Sequence, residues 1–197
     1  ESTIGILGFG GIGKEVARRV SSLGARVIAL KRTTPKGVEF DLEAVSGGGG
    51  VGSSIELLQG SKGLERLLRE SDALVLTAPL TPETRGIIDE EAILKMKEGA
   101  ILINVARGKL VDQEALVKAL QVGRLRGAGL DVFAEEPLPE AHPLWELQNV
   151  ILTPHVSAVT RGFWRREMDL IKRNIACFFE GAPLDKWKNV VDKQAGY

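Results

Sequence analysis

The stretch Thr3-Ile4-Gly5-Ile6-Leu7-Gly8-Phe9-Gly10-Gly11-Ile12-Gly13 decides the fold of this 197-residue chain. Its apolar first half predicts a buried strand, and apolar residues then recur at helical spacing up to Gly24. The turn between them matches the pattern G-x-G-x-x-G, which permits a tight turn, backbone approach to a pyrophosphate and close packing of helix on strand. The pattern predicts dinucleotide binding, and a turn that merely joins strand to helix is the alternative. The predicted contacts are Gly8, Gly10, Gly11, Ile12 and Gly13.

Outward from this turn, apolar strands and helical patterns alternate along the chain. Residues 26–30 form a second strand and complete a β-α-β unit. Further strands are predicted at 73–77, 100–104, 128–132 and 150–152, and helices around 64–69, 90–96, 113–120 and 160–181. This order predicts an α/β fold of the Rossmann type, a doubly wound parallel sheet covered on both faces. The last predicted helix carries an apolar stripe, which is expected to pack in the core or at a domain seam. The stripe comprises Trp164, Met168, Ile171, Ile175 and Phe178.

Residues 31–54 interrupt this alternation. Pro35, Gly37 and four consecutive glycines at 47–50 predict a mobile surface loop. Four adjacent glycines can also cradle a phosphate, but neither a Lys-Ser/Thr pair nor a helix start follows them, which favours the loop.

Composition excludes several classes of protein. Twenty-six basic and 26 acidic residues give zero net charge, which argues against nucleic acid or an anionic membrane as partner. No apolar run reaches the roughly 20 residues that a membrane-spanning helix needs. The single Cys177 allows no intrachain disulfide, and no Cys/His cluster has the spacing of a metal site. These features predict a cytoplasmic protein without a metal, although a removed organelle-targeting peptide remains an alternative.

The end of the second strand carries the residues that would select the coenzyme. An NAD-preferring site usually presents Asp or Glu there to the ribose 2′-hydroxyl, whereas this chain has Lys31 and Arg32. Both can pair with a 2′-phosphate, Arg32 through a forked contact. We therefore expect a preference for NADP(H), with NAD(H) possible; two exposed loop cations without a ligand are the alternative.

The sequence contains two histidines, and histidine is the residue most often used as a general acid/base. His155 follows a predicted strand in Leu152-Thr153-Pro154-His155-Val156-Ser157, at the edge where open α/β sheets bind ligands. His142 precedes Pro143 and is predicted to be a surface or capping histidine. Two other predicted strands end in Asn104-Val105-Ala106-Arg107-Gly108 and in Asp131-Val132-Phe133-Ala134-Glu135-Glu136-Pro137. Arg107, Glu136 and His155 are thus expected at one edge of the sheet.

With these motifs in this order, the chain resembles the D-isomer-specific 2-hydroxyacid dehydrogenases, a family that includes phosphoglycerate dehydrogenase and glyoxylate/hydroxypyruvate reductases. The resemblance covers nearly the whole chain, including Thr77-Ala78-Pro79-Leu80 and Val111-Asp112. It implies that His155 protonates the 2-keto oxygen, that Glu136 supports its imidazole and that Arg107 holds the substrate carboxylate. Glu135 is the alternative to Glu136. The implied coenzyme-cleft residues are Ala78, Pro79, Val105, Ala106, Asp131, which would orient the nicotinamide carboxamide, and Ser157.

The resemblance also predicts the domain organisation. Residues 1–180 would be the NAD(P)-binding domain, and 181–197 would begin the return to a substrate lobe whose larger part precedes the glycine turn in family members. With residues 1–197 alone, coenzyme binding is expected to survive while turnover is weak or absent. The family's implied partner molecules are a small 2-oxo or 2-hydroxy acid, such as glyoxylate or hydroxypyruvate, and a second copy in a homodimer.

Other functions remain open alternatives at this stage. Relatives in this fold family also act as coenzyme-sensing corepressors or scaffolds, which retain similar residues. A truncated isoform that competes for dimerisation without turnover is a further alternative.

Overall fold

The computed structural model describes residues 2–32, 40–41, 54–191 and 193. They fall into two compact units, Glu1–Pro154 and His155–Tyr197, each of which is described by itself. The strands of the first unit are β1 (Thr3–Leu7), β2 (Arg26–Leu30), β3 (Phe40–Asp41), β4 (Ser54–Leu58), β5 (Ala73–Leu76), β6 (Ala100–Asn104), β7 (Leu125–Leu130) and β8 (Val150–Leu152). Its α-helices are α1 (Gly11–Ser22), α2 (Gly60–Glu70), α3 (Glu90–Lys95) and α4 (Gln113–Gln121).

The strands form one sheet in the order β3-β4-β2-β1-β5-β6-β7-β8. Seven of them are parallel, and only the short edge strand β3 runs antiparallel to its neighbour β4. The chain runs from β1 outward to β4 and then crosses to β5 on the other side of β1. The direction of winding therefore reverses between β1 and β5, and ligands of open α/β sheets bind at such a switch point.

Both faces of the sheet are covered, as the alternation of elements predicts. Neighbouring residues of β1 point to opposite faces, so Ile6 and Leu7 belong to different buried clusters. Ile6 packs with Ala17 of α1, whereas the cluster of Leu7 extends beneath α2, α3 and α4. The predicted doubly wound Rossmann-type fold is confirmed.

Local sequence explains where α3 and α4 begin. Asp89 precedes α3 and accepts a 2.8 Å hydrogen bond from the backbone N–H of Ala92. Asp112 precedes α4 and accepts one of 3.1 Å from Ala115. These side chains satisfy N–H groups that a helix start leaves without partners. Helix α1 differs, because Gly10 at its start has no side chain to cap it.

The predicted loop at 31–54 is wrong at Phe40–Asp41 and at Ser54, which belong to strands, whereas Lys31 and Arg32 lie outside any strand or helix as predicted. Phe40–Asp41 and Ser54–Ile55 pair as antiparallel strands, and Ser54–Leu58 also lies parallel to β2. Strand β4 has a weak pattern because Glu56 interrupts its short apolar run. Residues 33–39 and 42–53, which contain Pro35, Gly37 and the four glycines at 47–50, lie outside the described residues.

Strand β7 also differs from its prediction. It spans Leu125–Leu130 rather than 128–132, so the residues after Leu130 already form the connection to β8. A Cβ on Gly127 would lie 2.7 Å from the carbonyl oxygen of Asn149, so glycine is required where β7 passes the chain entering β8. Strand β5 likewise ends at Leu76, one residue before its predicted end.

The second unit is built on α5 (Phe163–Phe179), which is shorter than the predicted 160–181. The segment after it folds back, because Asn174 makes two hydrogen bonds of 2.9 and 3.1 Å with the backbone of Lys188. The rings of Phe178 and Trp187 also meet edge to face. No residue of α5 is buried, so the prediction that its apolar stripe forms core is wrong, while the domain-seam alternative stays a prediction. The predicted boundary between residues 180 and 181 also stays a prediction.

Within the described residues, no helix combines the length and apolar character that crossing a membrane requires. In the same part of the chain, no three His, Cys, Asp or Glu side chains are grouped as metal ligands.

Candidate functional site

The glycine turn after β1 is held in a conformation and a space that only glycine fits. Gly8 has φ +98°, and a Cβ there would lie 2.6 Å from the backbone N and Cα of Ala78. Its N–H donates a 3.0 Å hydrogen bond to the carbonyl oxygen of Leu30 at the end of β2. The turn is thus fixed against both strands that neighbour β1.

Gly13 brings helix α1 close to the same turn. A Cβ on Gly13 would collide with the carbonyl oxygen of Gly8, which itself accepts a 2.5 Å hydrogen bond from the hydroxyl of Thr77. Thr77 directly follows β5, on the other side of the switch point from β2, and its hydroxyl therefore holds the glycine turn from that side. Thr77 was predicted as the last residue of a strand and as part of a family motif, without a positioning role; its polar hydroxyl at the end of a buried apolar strand is the signal that marks this role.

Gly10 and Gly11 have open space instead. A Cβ at either position would meet nothing within 4 Å, and Ile12 is exposed beside them. Helix α1 begins at this opening without a side-chain cap, so its first-turn N–H groups and the positive end of its dipole face the opening. This arrangement fits a pyrophosphate, because the backbone is accessible where the fingerprint requires a phosphate to approach.

Lys31 and Arg32 lie where the sequence predicts them, directly after β2. The N–H of Lys31 donates a 3.1 Å hydrogen bond to the carbonyl oxygen of Leu58, which places the Lys31 backbone beside the end of β4. Lys31 is half-buried and Arg32 is exposed. Both cations therefore lie at the carboxyl edge of the sheet, one strand away from the glycine turn.

A compact turn follows β5 on the other side of the glycine turn. Ala78 is buried and Pro79 is exposed, and the carbonyl oxygen of Pro79 accepts a 2.7 Å hydrogen bond from the hydroxyl of Thr84. The hydroxyl of Thr81 donates a 2.7 Å hydrogen bond to Glu83 Oε2. This hydroxyl, then the backbone N–H of Glu83, and also the Arg32 guanidinium hold the pKa of Glu83 below its usual range.

Asn104 organises the turn that carries Arg107. It is almost fully buried, its Oδ1 accepts a 3.0 Å hydrogen bond from Ala106, and its Nδ2 donates one of 2.9 Å to the carbonyl oxygen of Arg107. Arg107 is exposed, whereas Val105 is half-buried and Ala106 is buried. Sequence reasoning did not assign Asn104 a role, although an amide at the end of an apolar strand is a recognisable turn signal.

The Arg107 turn packs against the segment after β7. A Cβ on Gly108 would collide with the backbone of Phe133, so glycine allows the two chains to touch. Asp131 is buried, donates from its N–H to the carbonyl oxygen of Asn104 over 3.0 Å, and accepts a 2.6 Å hydrogen bond from the Thr153 hydroxyl. Thr153, which follows β8, is a second positioning residue that sequence reasoning missed.

Glu136 lies in the loop that follows Asp131. Its Oε1 accepts a 3.0 Å hydrogen bond from the N–H of Phe133, and the residue as a whole is exposed. The structure thus places Arg107, Asp131 and the Glu136 loop in adjoining turns at one edge of the sheet. Glu135 is also exposed and stays the alternative to Glu136.

His155 and Ser157 belong to the second unit, and both are exposed there. His155 has φ +55°, a left-handed conformation that is uncommon outside glycine but several-fold enriched in histidine. The predicted convergence of His155 with Arg107 and Glu136 stays a prediction.

His142 caps the short 3-10 turn Pro143–Glu146, as predicted. Its Nδ1 accepts a 3.2 Å hydrogen bond from Leu144, and its Nε2 lies 2.8 Å from Gln113 Nε2. Gln113 in turn accepts a 3.0 Å hydrogen bond through Oε1 from Ala134, two residues before Glu136. The histidine without a predicted catalytic role is therefore connected to the loop that carries Glu136.

Comparisons with known proteins agree with this geometry. The family model described as D-isomer specific 2-hydroxyacid dehydrogenase, NAD binding domain, matches residues 1–157. A glyoxylate reductase from Thermococcus gammatolerans is 45% identical over 179 residues, which are 91% of this chain and 49% of that protein. The chain thus spans about half the length of the curated relatives it matches.

Two solved structures are similar over the full length of this chain. A D-isomer specific 2-hydroxyacid dehydrogenase from Xanthobacter autotrophicus Py2, in complex with NADPH and MES, is 36% identical with a TM-score of 0.82, and 73% of it is covered. An NADPH-dependent glyoxylate/hydroxypyruvate reductase from Sinorhizobium meliloti, in complex with NADP and sulfate, is 32% identical with a TM-score of 0.82, and 57% of it is covered.

Proposed function

Because the chain belongs to the D-isomer-specific 2-hydroxyacid dehydrogenases through their NAD-binding domain, we propose that it is the coenzyme-binding part of a reductase of small 2-oxo acids. Glyoxylate is the first substrate to test, because the curated relatives are named glyoxylate reductases. A bound nicotinamide coenzyme would supply the hydride. The side chains of this protein would bind the coenzyme, orient the substrate and supply the proton.

The contrast within the glycine turn is the observation that carries this proposal. Gly8 and Gly13 leave no room for a side chain, whereas Gly10 and Gly11 face open space at an uncapped helix start. A turn that merely joined strand to helix would need the first pair but not the second. The open pair is what a pyrophosphate requires.

The coenzyme is proposed to be NADP(H) in preference to NAD(H). Lys31 and Arg32 occupy the carboxyl edge next to the glycine turn, where a 2′-phosphate would meet a guanidinium and an ammonium. Neither residue can accept a hydrogen bond from an unphosphorylated 2′-hydroxyl. The similar structures that contain NADPH and NADP support this preference.

Residues 1–197 can test this proposal by fluorescence titration with NADPH and NADH. We expect Arg32→Ala to raise the Kd for NADPH about tenfold or more, with little change for NADH, because only NADPH carries the 2′-phosphate. Arg126→Ala is the matched control, since Arg126 is an exposed arginine near the start of β7, at the opposite edge of the sheet. Equal effects of Arg32→Ala on both coenzymes would contradict the preference, and failure to bind either coenzyme would contradict the function.

The catalytic roles are proposed for the residues that the family motif assigns. His155 would protonate the 2-keto oxygen and remove that proton in the reverse direction. Glu136 would accept a hydrogen bond from the imidazole, and Arg107 would bind the substrate carboxylate by a forked contact. Asp131, fixed by Thr153, would orient the carboxamide of the nicotinamide.

These roles are tested in a preparation that shows glyoxylate- or hydroxypyruvate-dependent oxidation of NADPH. His155→Gln should lower kcat about 100-fold or more without changing the Kd for NADPH, because it removes the proton donor. Arg107→Gln should raise KM and also lower kcat, because Arg107 both binds and polarises the substrate. Unchanged kcat in His155→Gln would contradict its role.

Two further predictions, a homodimer and a cytoplasmic location, would be tested by sedimentation velocity and by cell fractionation.

A further inference from the structure

The turn after β5 carries a carboxylate that the proposed reaction does not use. Glu83 lies in the segment Thr81-Pro82-Glu83-Thr84-Arg85, which is closed by hydrogen bonds from the N–H groups of Thr84 and Arg85 to the carbonyl oxygen of Thr81. The Thr81 N–H also donates a 2.7 Å hydrogen bond to the Thr84 hydroxyl. Because Thr81 is buried and donates its own hydroxyl to Glu83, the carboxylate is attached to a rigid turn.

This turn is connected to the glycine turn by a short series of contacts. Thr84 donates to the carbonyl oxygen of Pro79, and the neighbouring Ala78 touches Gly8 so closely that a Cβ there has no room. Gly8 donates in turn to Leu30, two residues before Arg32. Glu83 and Arg32 therefore lie on opposite sides of the glycine turn, at the same edge of the sheet.

These two residues carry opposite charges on either side of the glycine turn. The Arg32 guanidinium is among the groups that lower the pKa of Glu83, after the Thr81 hydroxyl and the backbone N–H of Glu83. Glu83 is an exposed carboxylate, negatively charged at neutral pH, and it lies across the glycine turn from the cation assigned to the 2′-phosphate. Its charge would act on the pyrophosphate of both coenzymes and also on the 2′-phosphate of NADPH, whereas the neutral 2′-hydroxyl of NADH adds no further repulsion.

We propose that Glu83 is a specificity-determining residue that weakens binding of 2′-phosphorylated coenzymes at Arg32 and so keeps NADH usable beside NADPH. This inference rests on the proposed coenzyme site. The mechanism is repulsion between the Glu83 carboxylate and the phosphate across the solvent-exposed edge, so the effect should be modest and should decrease with salt. It requires no direct contact between Glu83 and the coenzyme.

The test compares the Kd values of NADPH and NADH in Glu83→Gln. We expect the Kd for NADPH to fall about two- to fivefold at low ionic strength, because the repelling charge is removed, while the Kd for NADH should fall less, because NADH has the same pyrophosphate but lacks the 2′-phosphate. Adenosine 2′,5′-bisphosphate and AMP should show the same difference, since they share the distinguishing phosphate. Glu83→Lys should lower the ratio of the Kd for NADPH to the Kd for NADH further than Glu83→Gln does.

Glu98→Gln is the matched control, because Glu98 is an exposed carboxylate just before β6, at the opposite edge of the sheet. It removes the same charge and should leave the ratio of Kd values unchanged. The inference would be overturned if the ratio of the Kd for NADPH to the Kd for NADH were unchanged in both Glu83→Gln and Glu83→Lys. It would also be overturned if Glu83→Gln bound NADPH more weakly than the wild type. Either result would leave the proposed coenzyme site intact. If the wild-type chain bound neither coenzyme, the proposed function would fail together with the inference.

Discussion

Thr77 and Gly8 join the two strands between which the sheet reverses its winding: the Thr77 hydroxyl donates a 2.5 Å hydrogen bond to the Gly8 carbonyl oxygen. Gly8 belongs to the turn after β1 and Thr77 directly follows β5, yet the two lie 69 residues apart in the chain. The contact fixes the shape of the turn before any ligand binds. A preorganised turn loses less conformational entropy when a pyrophosphate binds to it.

Gly8→Ala should destabilise the fold. The substitution forces an L side chain into φ +98° and drives its Cβ against the backbone of Ala78, which cannot move without displacing β5. Strained backbone of this kind costs about 1–3 kcal/mol, and the collision adds to it. Thermal denaturation followed by circular dichroism should show a clearly lower Tm.

Gly10→Ala is the informative comparison, because Gly10 has φ −89° and open space around it. Its Tm should change little, whereas its affinity for NADPH should fall, since the new methyl group occupies the space needed for the phosphates. Unchanged coenzyme affinity in a folded Gly10→Ala would argue against a pyrophosphate at this turn.

Thr153→Val should weaken the segment that carries Asp131. The Thr153 hydroxyl donates a 2.6 Å hydrogen bond to the buried Asp131 carboxylate, and valine removes this donor while keeping the shape of the side chain. Loss of a hydrogen bond to a charged group costs about 1.5–3 kcal/mol, and the exposure of Thr153 to water places the expected loss near the lower end. Urea denaturation measures it. Thr153→Ser retains a hydroxyl and should recover most of the stability; equal losses in the two variants would implicate packing rather than the hydrogen bond.

Four charged residues at the amino edge of the sheet predict acid sensitivity. Arg66 of α2 contacts Glu56 of β4 over 2.9 Å and also Glu70, and Arg26 of β2 contacts Glu70 over 2.8 Å. The hydrogen bond from Arg66 is the main cause that lowers the pKa of Glu56 and also of Glu70 below the usual 4.5.

Since both carboxyl groups have a lower pKa in the folded state than in the unfolded state, unfolding takes up protons at acid pH. Their contribution is therefore present above the unfolded-state pKa and is lost as pH falls through the folded-state pKa. We expect the Tm to decrease below about pH 4.5 and Arg66→Met to flatten this decrease. Arg69→Met, which removes a more exposed ion pair with Glu65 on the same helix, should change the slope less. The side chains are one-third to one-half exposed, so solvent screening limits the effect to about 1 kcal/mol.

Short-range patterns could predict the glycine turn and most strands, because periodicity and the turn residues Gly8 and Gly13 act locally. Strand β4 was missed because its two pairing partners, rather than its own weak pattern, define it. The predicted start of β7 at residue 128 was wrong because the strand already includes Gly127, a glycine that the close approach of Asn149 requires.

Within the candidate site, the sequence patterns predict residues that contact ligands, which stays a prediction, but they did not predict the residues that position the turns. Asn104 and Thr153 have their roles through partners that only the folded chain brings near. Hydrogen bonds between distant segments leave no periodic signal in a single sequence.

The link from His142 through Gln113 to Ala134 gives the last prediction. Gln113 at the start of α4 accepts a 3.0 Å hydrogen bond from the Ala134 N–H and lies 2.8 Å from His142 through its amide nitrogen. Gln113→Leu removes both contacts, so the loop before Glu136 should open more often. Hydrogen exchange should show protection of the Ala134 amide reduced about tenfold, equivalent to one lost hydrogen bond. Gln121→Leu, the same change at the exposed end of α4, should leave this protection unchanged. Undiminished protection in Gln113→Leu would mean that the contact of Gly108 with Phe133 and the bond from Phe133 to Glu136 are sufficient to hold the loop.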